Sequence, residues 1–424
     1  MPVEGAPSAC GARHSWTDVA VVSNLGQARN AVALAESRPS QRFLVVVATT
    51  PSTTDLGFRL ARYCETEGLA AVLLSLPKRP LAPRPLAMRR MVAAFGQLAR
   101  RARPTRVWVA NANAHYAVLA DVMAAQGVVV NYFEEGLGTY RAWAASSNGP
   151  TEARRRLRQE FRVAANEHLS WLSAGPSSWS LWRLRAAVRN LAPIAVDLTT
   201  RLLSTWSWYR HLIDTASSGH GRAFFDVHRE FDTAVVARPE LLDRVWFTAR
   251  FVERLDVIPS ERERMAALQA VDLIGAPSGS TLLVTQPYVD RGPIYYAALA
   301  STLAQCGVSE VVVKPHPRER DYSRFHLSKQ LSASGIAAHA LADPDALTAE
   351  SLLSTGRFTS CFAVTSSTLL YGPESSPEVH YVALGGAVLE ALNRARVDPA
   401  RLQVLRDDWA IARRLDGVSI IGHS

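Results

Sequence analysis

Short apolar runs rich in valine and leucine alternate with helical patterns along the first third of the chain. The segments between the runs repeat apolar residues every three or four positions, as amphipathic helices do. Strands of this kind separated by helices predict a parallel sheet that is covered by helices on both faces. The predicted strands are residues 18–24, 43–50, 70–76, 106–112 and 127–133.

The same alternation returns after the Gly/Pro/Ser-rich stretch 275–281. Between the two series, residues 141 to about 270 are helix-prone and arginine-rich, with almost no strand signal. Two doubly wound α/β domains of Rossmann type that face a cleft, with a helical insertion, are therefore predicted, and their ligands should bind at the carboxyl ends of strands. The second set of predicted strands is 281–287, 310–317, 337–343, 362–368 and 379–386.

The length of 424 residues exceeds what one hydrophobic core usually supports, so the pattern is divided into domains. Residues 1–16 are predicted to form a flexible tail, and residues 17–140 the N-terminal Rossmann-like domain. Residues 141–274 form a helical region, rich in Trp and Arg, that belongs to the N-terminal half. Residues 275–424 are predicted to form the C-terminal domain. Its last helix is a candidate to cross back to the N-terminal domain.

Composition narrows the class of partner. Hydrophobic residues make up 48% and charged residues 20%, as in soluble globular proteins. The 47 Lys and Arg against 38 Asp and Glu give a net charge of +9, which favours polyanionic partners. The basic residues are not interleaved with the aromatics of a known nucleic-acid module, so no nucleic-acid partner is predicted.

The four cysteines are scattered without metal-like spacing, which predicts reduced thiols in a cytoplasmic protein. No signal peptide is predicted, because the first residues lack a charged start and an apolar core, and no spanning helix is predicted, because no uninterrupted apolar stretch of about 18 residues occurs. Tryptophans and arginines are concentrated between residues 171 and 210, and such helices either lie on an anionic membrane surface or pack between domains. A peripheral position at the inner membrane face is thus a second option. The residues concerned are Trp171, Trp179, Trp182, Trp206, Trp208, Arg183, Arg185, Arg189, Arg201 and Arg210.

Two adjacent carboxylates follow the predicted strand 127–133. Glu134 and Glu135 precede Gly136 and Gly138, which permit a sharp turn. Adjacent side chains of an extended backbone point to opposite sides, so one carboxylate is expected to face the cleft. A carboxylate held among apolar groups can have its pKa raised enough to accept a proton from a hydroxyl. The alternative is a solvated acidic turn.

A histidine between two prolines ends the predicted strand 310–317. Pro315 and Pro317 restrict the backbone so that His316 is extended, with Lys314 and Arg318 on either side. A histidine at a strand end can bind a phosphate or stabilise a departing one, and the flanking cations add charge-assisted contacts. The alternative is a rigid strand exit with a surface histidine.

Hydroxyl side chains crowd a third strand end, where Ser366, Ser367 and Thr368 precede a helical pattern. They can cap that helix, and the backbone N–H groups at its start form a natural anion site. Asp343 and Asp345 match a metal-binding DxD pattern, but Asp343 stands before a proline and an apolar run, which is typical of a helix N-cap. No metal site is predicted.

These three motifs, in this order, resemble those of bacterial sialyltransferases, most closely the capsular alpha-2,8-polysialyltransferase-type family. That family is marked by an acidic pair followed by glycine, by an HP pair and by a serine or serine pair. They correspond here to 134–136, 316–317 and 366–367, and the stretches "EEGLGTY", "VKPHPRE" and "LLVTQP" look like the family beyond the minimal motifs.

The resemblance implies a GT-B fold and an inverting, metal-independent transfer from CMP-sialic acid, with no cofactor, to a glycan or glycolipid acceptor. It implies that the 17–140 domain serves the acceptor and the 275–424 domain the nucleotide sugar. Glu134 or Glu135 would be the base, with a slight preference for Glu134. His316 would contact the CMP phosphate and assist its departure. The donor-binding set would be Lys314, His316, Pro317, Ser366, Ser367 and Thr368.

Three other functions compete with this interpretation. A Kdo transferase uses a CMP-linked acidic sugar with nearly the same donor chemistry. Teichoic-acid glycerophosphotransferases share the KPHP-like strand end and the serine pair, but they lack the EEG turn. The third alternative is a non-catalytic glycan-binding relative. The intact motifs favour an enzyme.

Overall fold

Two parallel sheets form the framework of this computed structural model. The residues that it describes are 16–50, 53–77, 84–140, 199–200, 203–204, 206–226, 228, 230–242, 248–286, 293–316, 319, 321–341, 347–397 and 399–422.

The first sheet has seven strands in the order β3-β2-β1-β4-β5-β6-β7. The pairs from β3 to β6 are parallel, and every residue of β1 and β2 is buried, as expected for a sheet covered on both faces. The strands are β1 Asp18–Val22, β2 Phe43–Thr49, β3 Ala70–Ser75, β4 Arg106–Val109, β5 Val129–Phe133, β6 Glu230–Val236 and β7 Thr248–Arg254. The helices that are described from end to end in this half are α1 Leu25–Glu36, α2 Thr54–Thr66, α3 Pro85–Ala102, α4 Ala114–Ala124 and α5 Ser207–Ala216.

Strands β6 and β7 correct the sequence analysis, which found almost no strand signal between residue 141 and about residue 270. In β6, a short apolar end follows polar residues that are partly exposed. In β7, at the edge of the sheet, no residue is buried, so the strand carries no apolar run. Exposure at the edge explains why neither strand has the pattern of a buried strand.

The second sheet has six parallel strands in the order β10-β9-β8-β11-β12-β13. Its strands are β8 Ser280–Val284, β9 Glu310–Lys314, β10 Ala337–Ala340, β11 Phe358–Ala363, β12 His380–Ala383 and β13 Val418–Ile420. Its helices are α6 Glu261–Leu273, α7 Pro293–Gln305, α8 Asp321–Ala333, α9 Ala349–Leu353, α10 Thr368–Ser375, α11 Gly385–Arg394 and α12 Pro399–Ala412.

The predicted α/β class with two doubly wound sheets is confirmed, and all ten predicted strands are present. Strand β11 begins four residues earlier than predicted because its first four residues, Phe358–Cys361, mix polar and apolar side chains. The short strand β13 was not predicted. No helix of the described part of the chain is both long and apolar enough to cross a membrane.

The chain divides into two compact units that interleave along the sequence. Unit 1 comprises Met1–Phe133, Trp143–Val235 and Arg244–Val252. Unit 2 comprises Glu134–Ala142, Val236–Asp243 and Glu253–Ser424. The acidic turn that follows β5 therefore belongs to the same unit as the second sheet.

Several predicted features lie outside the described residues. They are the tail up to residue 15, the whole 141–198 stretch with its Trp and Arg residues, Arg201, Pro317, Arg318, Asp343 and Asp345.

Candidate active site

Three neighbouring strands of the second sheet end in register. Val284 at the end of β8 pairs with Lys314 of β9 on one side and with Ala363 of β11 on the other. The residues that follow these strands therefore leave the sheet at one edge, with neighbouring strands about 5 Å apart. The strand order reverses between β8 and β11, and ligands of open α/β sheets bind at such a reversal.

The turn after β9 is held by a buried carboxylate. The backbone N–H of His316 donates to Glu319 Oε2 at 3.2 Å and to Thr285 Oγ1 at 3.3 Å. The Glu319 carboxylate also accepts from the Thr285 hydroxyl and, at 3.3 Å, from the Tyr296 hydroxyl. The Glu319 N–H returns a bond of 2.8 Å to the His316 carbonyl. The backbone of His316 is thus fixed while its side chain stays half-buried.

Lys314 has a different environment from its half-exposed neighbour His316. Its side chain is buried, and its ammonium group donates to the Pro315 carbonyl at 3.1 Å. Lys314 therefore contacts the backbone of the turn directly.

The hydroxyls after β11 differ in exposure. Ser366 and Thr368 are buried, and their hydroxyls lie 3.2 Å apart. Ser366 Oγ also accepts from the Thr368 N–H at 3.3 Å, at the start of α10. Ser367, the N-cap of α10, is half-buried and makes no capping bond with its side chain. Capping is thus performed by Ser366, and Ser367 is the more accessible hydroxyl.

The acidic turn contacts the start of α10 through Gly136. Gly136 has φ of 119°, a conformation that favours glycine, and a Cβ there would lie 3.2 Å from Ser367 Cβ. Gly138 is less constrained, since a Cβ would meet no atom closer than Glu135 Oε2 at 3.8 Å. The structure therefore brings the first and third predicted motifs together within unit 2.

Glu134 is fully buried and accepts three hydrogen bonds. Its Oε1 accepts from the Tyr371 hydroxyl at 2.6 Å, and its Oε2 from the Tyr140 hydroxyl at 2.6 Å and from the Ala237 N–H at 2.5 Å. We call Glu134, Tyr140, Ala237 and Tyr371 the Glu134 cluster. Burial raises the pKa of Glu134 above its ordinary value, against the opposite effect of these donors and of Arg238.

Glu135 is half-buried, in contrast to Glu134. Its backbone N–H donates to Thr139 Oγ1 at 3.0 Å, and the Thr139 N–H donates to the Gly136 carbonyl at 2.9 Å. A 3-10 turn over Leu137–Tyr140 follows. The two adjacent carboxylates thus lie in different environments, and that one of them faces a cleft stays a prediction.

Sequence reasoning missed the residues that support these turns: Thr285, Tyr296, Glu319, Tyr140 and Tyr371. Three of them stand close to the motifs in the sequence, but a tyrosine after a glycine turn or an acid after an HP pair has many structural uses. Their partners lie far away, as in the pair of Glu134 and Tyr371, which are 237 positions apart. No spacing rule in one sequence reports such a contact.

Within the described residues, no group of three or more His, Cys, Asp or Glu side chains is arranged to hold a metal ion.

A comparison with protein families matched residues 18–381 to the model of the family described as alpha-2,8-polysialyltransferase (POLYST). The match includes all three predicted motifs. No curated protein matches the chain.

Solved structures of low sequence identity are similar over nearly the whole chain. UDP-GlcNAc 2-epimerase from Neisseria meningitidis, bound to UDP-GlcNAc, is 11% identical with a TM-score of 0.41, over 95% of each chain. A UDP-N-acetylglucosamine 2-epimerase from Listeria monocytogenes is 10% identical with a TM-score of 0.42, over 93% of this chain and 91% of that one. An alpha,alpha-trehalose-phosphate synthase (UDP-forming) from Burkholderia vietnamiensis is 11% identical with a TM-score of 0.39, over 95% of each chain.

Proposed function

The chain belongs to the alpha-2,8-polysialyltransferase family, and we propose that it transfers sialic acid from CMP-sialic acid to a glycan acceptor with inversion and without a metal ion. The observation that carries this proposal is the packing of the Gly136 turn against Ser367 in one compact unit. That packing places the acidic turn beside the N-terminus of α10, and α10 follows β11 of the sheet whose edge also carries His316. A base and a set of anion-binding groups are the parts that such a transfer needs.

We propose Glu135 as the base, which reverses the preference for Glu134 from the sequence. Glu134 is fully buried and its oxygens already accept three hydrogen bonds, so an acceptor hydroxyl has no access to them. Glu135 is half-buried and follows the same strand end. A general base has to come within hydrogen-bonding distance of the proton that it removes, and this favours the more accessible carboxylate.

The CMP phosphate is proposed to bind between His316 and the start of α10. The imidazole stabilises the charge that develops on the leaving phosphate, and the Ser367 hydroxyl and the N-terminal end of the α10 dipole do the same. Ser366 and Thr368 are buried and keep the helix start in place. Lys314 contributes positive charge while it holds the Pro315 carbonyl. Pro317 is retained in the donor-binding set by the family motif alone.

The proposed reaction is a single direct displacement at the anomeric carbon of sialic acid. Glu135 takes the proton of the acceptor hydroxyl, and the acceptor oxygen forms a bond to the anomeric carbon of sialic acid. The bond from that carbon to the CMP phosphate oxygen breaks, and its electron pair leaves with CMP. Attack opposite to the leaving group inverts the anomeric configuration. CMP is an anionic leaving group that histidine, hydroxyl and helix dipole can stabilise, so the proposed step uses no metal.

The test is nucleotide release by the purified protein with CMP-sialic acid, CMP-Kdo and CDP-glycerol, each with and without a glycan acceptor. Release from CMP-sialic acid that increases with acceptor is the expected result. Turnover with only CMP-Kdo or only CDP-glycerol would assign the chain to one of the competing transfers. Activity should persist in EDTA, whereas loss in EDTA and recovery with Mg²⁺ would overturn the metal-independent mechanism.

An anionic membrane surface is proposed as the place where a lipid-linked acceptor is met. The helix α5 exposes large apolar side chains, namely its N-cap Trp206 and, within the helix, Trp208 and Leu212. The chain also has a net charge of +9. Aromatic residues of a surface helix enter the headgroup region while basic groups attract anionic lipid. Replacing both tryptophans by serine should weaken binding to anionic vesicles at low salt, and unchanged binding would contradict the proposal.

A further inference from the structure

The carboxylate of Glu134 has no reactive role in the proposed mechanism, so its burial calls for another explanation. Removing a carboxylate from water costs several kcal/mol, which its three hydrogen bonds have to offset. Apolar side chains of similar size often give equal or greater stability in such places. The Glu134 cluster is therefore better explained by the geometry that it enforces than by the stability that it adds.

The cluster joins three segments of unit 2 through one carboxylate. Tyr140 belongs to the acidic turn itself, Ala237 follows β6, and Tyr371 lies in the first turns of α10. The Arg238 N–H donates to the Tyr140 hydroxyl at 2.8 Å, which extends the cluster by one bond. A single group thus ties the acidic turn to the helix that carries Ser367.

Arg238 makes a second connection to the same helix. Its guanidinium donates to the Leu370 carbonyl at 3.3 Å and forms an ion pair with Glu374. Arg254 pairs with the same Glu374 carboxylate. The contacted residues lie within little more than one turn of α10, at Leu370, Tyr371 and Glu374. The acidic turn and the segment after β6 therefore contact the same part of the helix.

We propose that Tyr371, acting through Glu134, is a positioning residue that holds Glu135 at a fixed distance from Ser367. The inference rests on the proposed function, in which Glu135 is the base. Tyr371 itself contacts no reacting group. Its hydroxyl fixes the side chain of one glutamate, and the peptide bond between the two glutamates passes this constraint to Glu135. Because Gly136 approaches Ser367 closely, any rotation of the turn changes the distance between base and leaving group.

The experiment compares Tyr371→Phe with Tyr381→Phe. Tyr381 is a matched control because its buried hydroxyl donates to the Ser376 carbonyl at 3.2 Å and its ring lies against Gly372 of the same helix. Tyr371→Phe should lower kcat for transfer by about 10- to 100-fold with little change in the KM of the donor, since misplacement by about 1 Å can cost 10²-fold. Tyr381→Phe should leave kcat near that of the wild type. Equal losses in both variants would overturn the proposal.

A double variant separates positioning from general weakening. If Tyr371 acts through Glu134, adding Tyr371→Phe to Glu134→Gln should lower kcat no further than the worse single change. Effects that multiply would mean that the tyrosine acts independently, which overturns the proposal. If Tyr371→Phe fails to fold, Tyr140→Phe removes the other hydroxyl from the same carboxylate and is judged by the same criteria.

Amide hydrogen exchange tests the positioning role by a measurement that does not depend on catalytic activity. Amides of residues 135–140 should exchange faster in Tyr371→Phe than in Tyr381→Phe, because the turn loses its attachment to α10. Unchanged exchange there would overturn the proposal even in an active enzyme. If the wild-type protein releases no nucleotide from any donor, the proposed function fails, while faster exchange confined to this turn would still support the positioning role.

Discussion

Two turns of unit 2 have similar hydrogen-bonding arrangements with different partners. They are the acidic turn, residues 134–140, and the HP turn, which follows β9 and contains His316 and Glu319. Each contains a buried glutamate, Glu134 or Glu319, that accepts from two hydroxyls and one backbone N–H. Each buried glutamate has a half-buried neighbour in its turn, Glu135 or His316, to which the proposed mechanism gives a reactive role. A buried carboxylate with several donors is a rigid anchor for such a neighbour.

The difference lies in how far along the chain the donors are. Glu319 binds the N–H of His316, three positions away, and the hydroxyls of Thr285, directly after β8, and of Tyr296 in α7. Glu134 binds groups 103 and 237 positions away. The HP turn is thus anchored to its own sheet, whereas the acidic turn is anchored to a helix from a distant part of the sequence. The first anchor therefore fixes a residue locally, and the second fixes the distance between two motifs.

The largest expected effect separates the two glutamates of the acidic turn. Glu135→Gln should lower the rate of transfer by roughly 10²- to 10⁴-fold, the usual loss on removing a general base, while donor binding persists. Glu134→Gln keeps the shape of the side chain and should cost less. Steady-state transfer rates with CMP-sialic acid measure both. A larger loss in Glu134→Gln would return the role of base to Glu134.

In the HP turn, His316→Ala should remove nearly all transfer of sialic acid while the protein remains folded. A half-buried side chain after a strand contributes little packing, and a group that assists the leaving phosphate is worth about 10²- to 10⁴-fold. Transfer rates together with thermal unfolding distinguish the two effects. Wild-type turnover in a folded His316→Ala protein would remove this histidine from the mechanism.

Glu319→Gln tests whether Glu319, which has no reactive role in the proposed mechanism, affects the rate of transfer by positioning His316. We expect a fall in kcat of about 10- to 100-fold, because the turn loses a charged acceptor that positions the His316 backbone. Glu350→Gln is the matched control, since Glu350 is equally buried in unit 2 but lies in α9. If both variants lose the same activity, the effect is one of buried charge and not of the turn.

A smaller effect distinguishes the two glycines of the acidic turn. Gly136→Ala should destabilise the protein by roughly 1–3 kcal/mol, since alanine is strained at this φ and its Cβ approaches Ser367. Gly138→Ala, which meets only ordinary contacts, should change the free energy of unfolding little. Urea unfolding of both variants provides the measurement. Equal stability of the two would contradict the close approach of the turn to α10.

The smallest effect is a pH dependence of stability. Burial raises the pKa of folded Glu134 above 4.5, its ordinary value, so its contribution to stability is present below that pH and declines as pH rises through the folded pKa. The stability of the wild type relative to Glu134→Gln should therefore fall as pH increases above about 4.5. Urea unfolding at a series of pH values measures this difference. A relative gain with rising pH would show that the three donors outweigh burial.

The sequence by itself determined ten strands, most of them buried, the α/β class and the three motifs. Parallel strands covered on both faces need continuous apolar runs, and such runs are visible without any knowledge of partners. Strand β7 was missed because, at an exposed sheet edge, its charged and polar residues leave no apolar run, whereas the edge strand β3 keeps one. The family motifs also stood in the sequence, since each is a short run at the end of a predicted strand.

Only the tertiary structure decided which glutamate is buried, which serine is accessible, and which residues hold the turns. Alternation along a strand says that Glu134 and Glu135 differ, but which one is covered depends on Tyr371 and Ala237, which the fold brings from far along the chain. Likewise, Ser366 and Ser367 are neighbours in sequence, and only the start of α10 buries one and leaves the other partly exposed. Burial is a property of everything packed around a side chain, and a local pattern records only the side chain itself.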